Sequence, residues 1–125
     1  MKKKPLILLV ESDSYLADIY MRHFSEHKYQ TKVVKNFSEA DKKIERSLPD
    51  LFVVDIALEE NAGLKWLREL RSAEATKLVP IVVVTGLGDR ESIKEALLAG
   101  ANRYFLKSQI TPHELAEKIN ELITL

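Results

Sequence analysis

Cysteine is absent from this sequence. That removes disulfides and thiol chemistry from consideration and fits a reducing cytosol. An excess of charge of either sign is also lacking: Lys plus Arg number 19, Asp plus Glu number 19, and the formal net charge is zero. A chain with no basic excess has no electrostatic footprint for a phosphate backbone, so direct nucleic-acid binding is not expected. The Lys2-Lys3-Lys4 run reads as a solvated tail ahead of the first strand. Long apolar runs are missing too. Leu6 to Val10 is far too short to cross a bilayer, which takes about 20 apolar residues. Acidic Glu11 and Asp13 follow it directly, which is wrong for a signal peptide. No membrane association is expected, and the cytoplasm is the default location.

What is present is an alternation. With 125 residues, 46% hydrophobic and 30% charged, the chain suits one globular domain over residues 1–125. Short β-branched or aliphatic runs recur at Leu6–Val10, Gln30–Val34, Leu51–Val54, Ile81–Val84 and Tyr104–Leu106, each followed by a stretch with helical spacing. The expected inward faces are Leu16, Ile19, Tyr20 and Phe24 in the first helix, and Ala40, Ile44 and Leu48 in the second. Leu64, Leu67 and Leu70 follow in the third, Ile93, Ala96 and Leu97 in the fourth, and Leu115, Ile119, Leu122 and Ile123 in the fifth. Trp66 falls off the third stripe, as a partly buried flank. Ser38 and Asp41 suggest a start for the second helix, and Thr111-Pro112-His113-Glu114 spells a capping box with proline at the first helical position. The fourth helix is expected from about Asp89 to Ala99, with Gly100 ending it. Pro5, Pro49, Pro80 and Pro112 all fall at element starts, where a missing N–H costs least.

Five βα units imply a doubly wound parallel sheet with helices on both faces. Right-handed crossovers and a polar, edge-like second strand favour the flavodoxin-like order 2-1-3-4-5. Ligands of such sheets sit beyond the C-terminal strand ends. Those ends carry Glu11-Ser12-Asp13, Asp55, Thr85-Gly86 and Lys107. Acid oxygens from Glu11 and Asp55 suit a hard cation such as Mg²⁺. A carboxylate beside a metal can be a phosphoryl acceptor, with an ammonium and a hydroxyl balancing the added charge. Each residue alone also has an ordinary structural reading: a turn aspartate, a strand-ending threonine, a surface lysine. Their conjunction at one sheet edge is what points to chemistry.

Leu8-Leu9-Val10-Glu11-Ser12-Asp13, Pro49-Asp50-Leu51 through Asp55, Val83-Val84-Thr85-Gly86 and Gly100-Ala101-Asn102-Arg103-Tyr104 through Lys107 resemble the receiver domain of bacterial response regulators, in order and spacing over the whole chain. Gly63 also fits the loop that follows the third strand in that family. The resemblance implies a two-component signalling switch rather than an enzyme. In it Asp55 is the phosphoacceptor, Glu11 one of two acids at a Mg²⁺ site, and Ala57 a backbone-carbonyl ligand. Thr85 is the hydroxyl that shifts toward the phosphoryl group, Lys107 the lysine that pairs with it, and Tyr104 the aromatic switch residue. The implied partners are a histidine kinase or phosphotransfer protein and a downstream protein docking on the face of helix 4, strand 5 and helix 5. Arg90, Lys94, Glu95, Arg103, Glu117 and Lys118 are the exposed candidates there, and a homodimer is allowed. No output segment follows the last helix, so signalling is expected through protein contacts, by a free receiver or one belonging to a larger chain.

Two departures stand out. Ser12 replaces the second acid, so Mg²⁺ is expected to bind weakly, through Ser12 or Asp13. Ser108 replaces the usual proline after the lysine. A non-proline cis bond costs about 2.5–4 kcal/mol, so Lys107–Ser108 is expected to be trans. Glu59 replaces another common proline. The alternative function is a degenerate receiver acting as a phosphorylation-independent interaction module. Other nucleotide and phosphate chemistries fit poorly. A flavodoxin-type carrier would place its phosphate against Glu11 and Asp13, Asp55-Ile56-Ala57 is not the Asp-x-Asp of a haloacid-dehalogenase phosphatase, and Gly86-Leu87-Gly88 is not a dinucleotide fingerprint. His23 and His27 have a spacing that can bind metal, though such pairs are usually plain surface.

Overall fold

A computed structural model describes residues 4–59 and 62–124. Five strands and five helices alternate: β1 (Leu6–Val10), α1 (Ser14–Glu26), β2 (Gln30–Val34), α2 (Phe37–Arg46), β3 (Leu51–Val54), α3 (Ala62–Ser72), β4 (Ile81–Thr85), α4 (Arg90–Ala99), β5 (Arg103–Leu106) and α5 (Pro112–Thr124). The strands form one parallel sheet in the order β2-β1-β3-β4-β5. The central strands β1, β3 and β4 are buried along their whole length, which is why they read as unbroken apolar runs rather than alternating ones. The edge strands β2 and β5 are mostly half-exposed.

Alternating side chains feed two cores, one on each face of the sheet. Leu8, Val10, Phe52, Val54, Ile81 and Val83 pack under α2, α3 and α4 through Phe37, Ala40, Trp66, Leu67, Leu70, Ala96 and Ala99. Ile7, Leu9, Leu51, Val53, Val82 and Val84 pack under α1 and α5 through Ala17, Tyr20, Phe24, Leu115, Ala116 and Ile119. The capping box of α5 forms as expected: Glu114 N–H donates to Thr111 Oγ1 at 3.1 Å, and Thr111 N–H to Glu114 Oε1 at 2.9 Å. Gly100 ends α4 in the left-handed conformation, at φ 118°.

Several local expectations are corrected. The cap of α2 is Asn36, which accepts from Glu39 N–H at 2.8 Å while Glu39 accepts from Lys35 N–H; Ser38 and Asp41 lie inside the helix. Leu48 is 42% exposed because α2 ends at Arg46, ahead of Pro49, whose ring disfavours helical backbone at the residue before it. In α4 the inward stripe runs through Ala96 and Ala99, leaving Leu97 47% exposed. Trp66 is a core residue, tilted against Phe37 and edge-on to Phe52, with its indole N–H donating to Asp41 Oδ1 at 2.8 Å. Gly63 sits within α3 rather than in a loop, and a Cβ there would lie 2.4 Å from the Ile56 carbonyl oxygen. Of the basic run, Lys4 is exposed; Lys2 and Lys3 fall outside the described residues.

Candidate functional site

The backbone ladder continues one step past the strand ends and carries the polar residues with it. Glu11 N–H donates to Val34 carbonyl oxygen at 3.0 Å, Asp55 N–H to that of Val10 at 3.1 Å, and Lys107 N–H to that of Thr85 at 2.9 Å. Three separate chain segments are thereby locked side by side. Lys107 Nζ lies 2.8 Å from Asp55 Oδ2 and 2.9 Å from Glu11 Oε1. Both acids are almost sealed from solvent, Glu11 at 3% and Asp55 at 7% exposure. One ammonium thus holds two buried carboxylates.

The remaining oxygens are held as well. Asp55 Oδ1 accepts from Ala57 N–H at 2.9 Å, and Glu11 Oε2 from Asp13 N–H at 3.1 Å. These bonds fix each carboxylate's rotamer. Burial alone would lower the Lys107 pKa, but the hydrogen bonds and charges of Asp55 and Glu11 outweigh it and leave the group raised. Lys107 is therefore a firm cation at neutral pH.

Thr85 ends β4 fully buried, and its Oγ1 accepts from Leu87 N–H at the long distance of 3.5 Å. Tyr104 donates from its hydroxyl to the Leu87 carbonyl oxygen at 2.5 Å. Both expected switch residues therefore meet the β4–α4 loop at the same residue. The Tyr104 phenol is raised, first by burial and then by the charges of Asp89 and Asp55. Ser12 is exposed, and Asp13 is the N-cap of α1, accepting from Leu16 N–H at 3.1 Å. The Lys107–Ser108 bond is trans, as are all peptide bonds among the described residues. A Cβ on Gly86 would meet nothing within 4 Å, so the room beside Thr85 does not depend on glycine there.

Three contributors were not legible beforehand. Tyr20, expected only as core, lies close enough to the charges of Lys107, Glu11, Asp55 and Asp13 to feel them, and its phenol is pushed up to about 12, chiefly by burial. Glu59, at φ 46°, reaches back to accept from Phe37 N–H at 3.0 Å, tying the β3–α3 loop to the start of α2. Leu87 supplies the backbone groups that Thr85 and Tyr104 share. Each has at least one partner on a distant segment, for which no local pattern exists.

A model of the response regulator receiver domain matches residues 7–120. The chain belongs to that family. Receiver domains are the signalling switches of two-component systems. This receiver is similar to the phosphate regulon transcriptional regulatory protein PhoB of Rhizobium meliloti (strain 1021), 27% identical over 112 residues, covering 90% of this chain and 49% of the relative. The chain spans about half the length of the curated relatives it matches. In structure it resembles the CheY-like response regulator receiver domain protein of Methanospirillum hungatei JF-1, with TM-score 0.83, 28% identity, and coverage of 98% of this chain and 95% of that one. The Mn²⁺-bound form of response regulator Rcp1 shares the fold, with TM-score 0.82, 18% identity, and coverage of 94% and 92%. No helix among the described residues is long and apolar enough to cross a membrane.

Proposed function

We propose that this receiver, as one domain over residues 1–125, acts in the cytoplasm and accepts a phosphoryl group on Asp55 from a histidine kinase or phosphotransfer protein. The observation that carries this reading is the Lys107 ammonium within 3 Å of an almost fully buried Asp55 carboxylate. An Asp55 carboxylate oxygen attacks phosphorus, an acyl–phosphate bond forms, the donor's phosphorus–nitrogen bond breaks, and the freed imidazole leaves with its electron pair and takes a proton. Lys107 supplies positive charge where the transferring oxygens gain negative charge.

The donor set also fits a hard cation: Glu11, Asp55 and the carbonyl of exposed Ala57 offer oxygens only, few enough that the ion keeps several waters. When bound, Mg²⁺ neutralises charge on the transferring group. Ser12 brings no carboxylate, Asp13 is occupied as a helix cap, and Glu11, Asp13 and Asp55 do not converge as a three-ligand group. We therefore assign Mg²⁺ a weak site, completed at Ser12 through water rather than by Asp13.

The added charge draws the Thr85 hydroxyl away from Leu87, and Tyr104 carries that change to the α4-β5-α5 face. A groove of about 400 Å³ already runs along this face between Ile93, Tyr104, Phe105, Ile110, Glu114 and Lys118. Around it Arg90, Lys94, Arg103, Glu117 and Lys118 are exposed and Glu95 is half-buried, a surface for a downstream protein or a second copy of the chain. The competing reading, a constitutive interaction module, draws on the departures at Ser12, Ser108 and Glu59. Incubation with a small acyl-phosphate donor and Mg²⁺, followed by intact mass, separates the two. One added phosphoryl group in the wild type and none in Asp55→Asn is expected. An unmodified wild type, or modification that survives in Asp55→Asn, would overturn the phosphoacceptor reading.

A further inference from the structure

The sequence offers His23 and His27 as a helical metal pair, but the fold separates them. His27 turns away and stacks on Tyr29. His23 instead faces α5, where the His113 ring stands edge-on with its centroid 5.9 Å away. Glu26, three residues along the same face of α1, completes a cluster in which one ligand atom from each of His23, Glu26 and His113 lies within 4.8 Å of the others. Among the described residues this is the cluster of metal-ligating side chains that meets that spacing. His23 lies about 15 Å along α1 from its Asp13 cap, at 1.5 Å per residue, so the cluster is separate from the carboxylates around Asp55.

Two details make it more than a chance meeting of surface groups. His23 Nδ1 is shut off from solvent, and the Glu26 Oε1 that faces it at 3.2 Å makes no hydrogen bond with it. A sealed imidazole nitrogen and a carboxylate oxygen side by side, not joined by a hydrogen bond, form an uncommon arrangement that a shared Lewis acid would satisfy. Second, His113 Nε2 has Glu117 Oε2 at 3.6 Å, one helical turn on. That is a carboxylate of the kind that orients metal-bound histidines or serves as a further oxygen ligand.

We infer that His23, Glu26 and His113 form a Zn²⁺ site joining α1 to α5. Two imidazoles and one carboxylate are the donor set of a three-ligand zinc centre whose fourth position is filled by water. Imidazole nitrogens favour Zn²⁺ over the oxygen-seeking Mg²⁺ of the Asp55 pocket. Side-chain rotations would draw the three donors from their present spacing to bonding distance, and Glu26 and His113 are both exposed. The bound ion pins the first helix to the last. Because α5 also borders the groove beside Tyr104, metal occupancy would stiffen one wall of that face.

Calorimetric titration of the folded protein with ZnCl₂, in excess Mg²⁺ to keep the Asp55 pocket occupied, tests this. One equivalent of Zn²⁺ is expected to bind, with a rise in the thermal midpoint. Loss of a ligand's supporting partner alone weakens metal sites about 10–100-fold, so His23→Ala and His113→Gln should each weaken Zn²⁺ binding at least about tenfold. His27→Ala should leave it unchanged. Co²⁺ substitution should give visible absorption that His113→Gln removes. His113 is exposed on the first turn of α5, so that variant decides the matter even if the half-buried His23 proves needed for folding. Absence of Zn²⁺ binding in the wild type, or binding of equal strength in His113→Gln, overturns the assignment.

Discussion

Replacing Lys107 with methionine keeps the aliphatic stem and deletes the charge, which isolates what the ammonium does for two buried acids. Each of its contacts, at 2.8 and 2.9 Å, carries roughly 6 kcal/mol of gross Coulomb attraction at an effective dielectric near 20. Most of that offsets the desolvation of the three groups. The loss on removing one partner of a buried pair is about 3–5 kcal/mol. The Lys107 side chain keeps 27% exposure, which favours the lower end of that range. Lys107→Met is therefore expected to lose about 3 kcal/mol at neutral pH. Urea unfolding in EDTA, followed by the fluorescence of Trp66, the single and buried tryptophan, measures the loss. A loss too small to resolve would refute the claim that Lys107 neutralises two stranded charges.

Three further outcomes follow from the same geometry. Ser12→Asp restores a carboxylate beside Glu11 and should tighten Mg²⁺ binding about tenfold or more, or 1.4 kcal/mol, by calorimetry; tight wild-type binding left unchanged by the substitution would contradict the weak site. Because the Lys107 pKa is raised in the folded state, its stabilisation is complete below the unfolded lysine value of about 10.4 and is lost as pH rises through the higher folded value. The stability gap between wild type and Lys107→Met should therefore hold from neutral pH to about 10.4 and close only above it. Gly63→Ala forces a methyl to within 2.4 Å of the Ile56 carbonyl oxygen and 2.8 Å of its Cα, and should cost about 1–3 kcal/mol in chemical denaturation, with slower phosphorylation because Ile56 adjoins Asp55.

The fold was legible because the three central strands are apolar on both faces and prolines mark element starts, so length and punctuation alone set the βα alternation. The site was legible for a related reason: in a parallel sheet the residue just past each strand lands on one edge, so Glu11, Asp55, Thr85 and Lys107 could be placed from one-dimensional spacing. Helix faces were harder. In α3 the buried set is Gly63, Trp66, Leu67 and Leu70, and choosing Leu64 as its first member turned the stripe enough to push Trp66 to the flank. In α4, Leu97, Leu98 and Ala99 are consecutive, and apolarity alone does not say that the smallest faces the sheet. At α2 the signal was present but overlapped, since Asn36-Phe37-Ser38-Glu39 carries its own cap residue and third-position acid beside the Ser38–Asp41 pair. Glu59 and Leu87 reach Phe37 and Tyr104 across 22 and 17 residues, Tyr20 feels Lys107 and Asp55 from other segments, and only the folded chain brings them together.

Leu87 is gripped on both sides of its Cα, by a long and feeble bond through its amide and a short one through its carbonyl. Two fasteners of unequal strength on one residue come undone in sequence. Pulling the threonine hydroxyl away costs little, whereas swinging the tyrosine inward means surrendering the better bond. If Thr85 and Tyr104 act as proposed, the loop would register a small local event cheaply and resist passing it on, so the threshold of the relay would reside in the phenol rather than in the chemistry at the sheet edge.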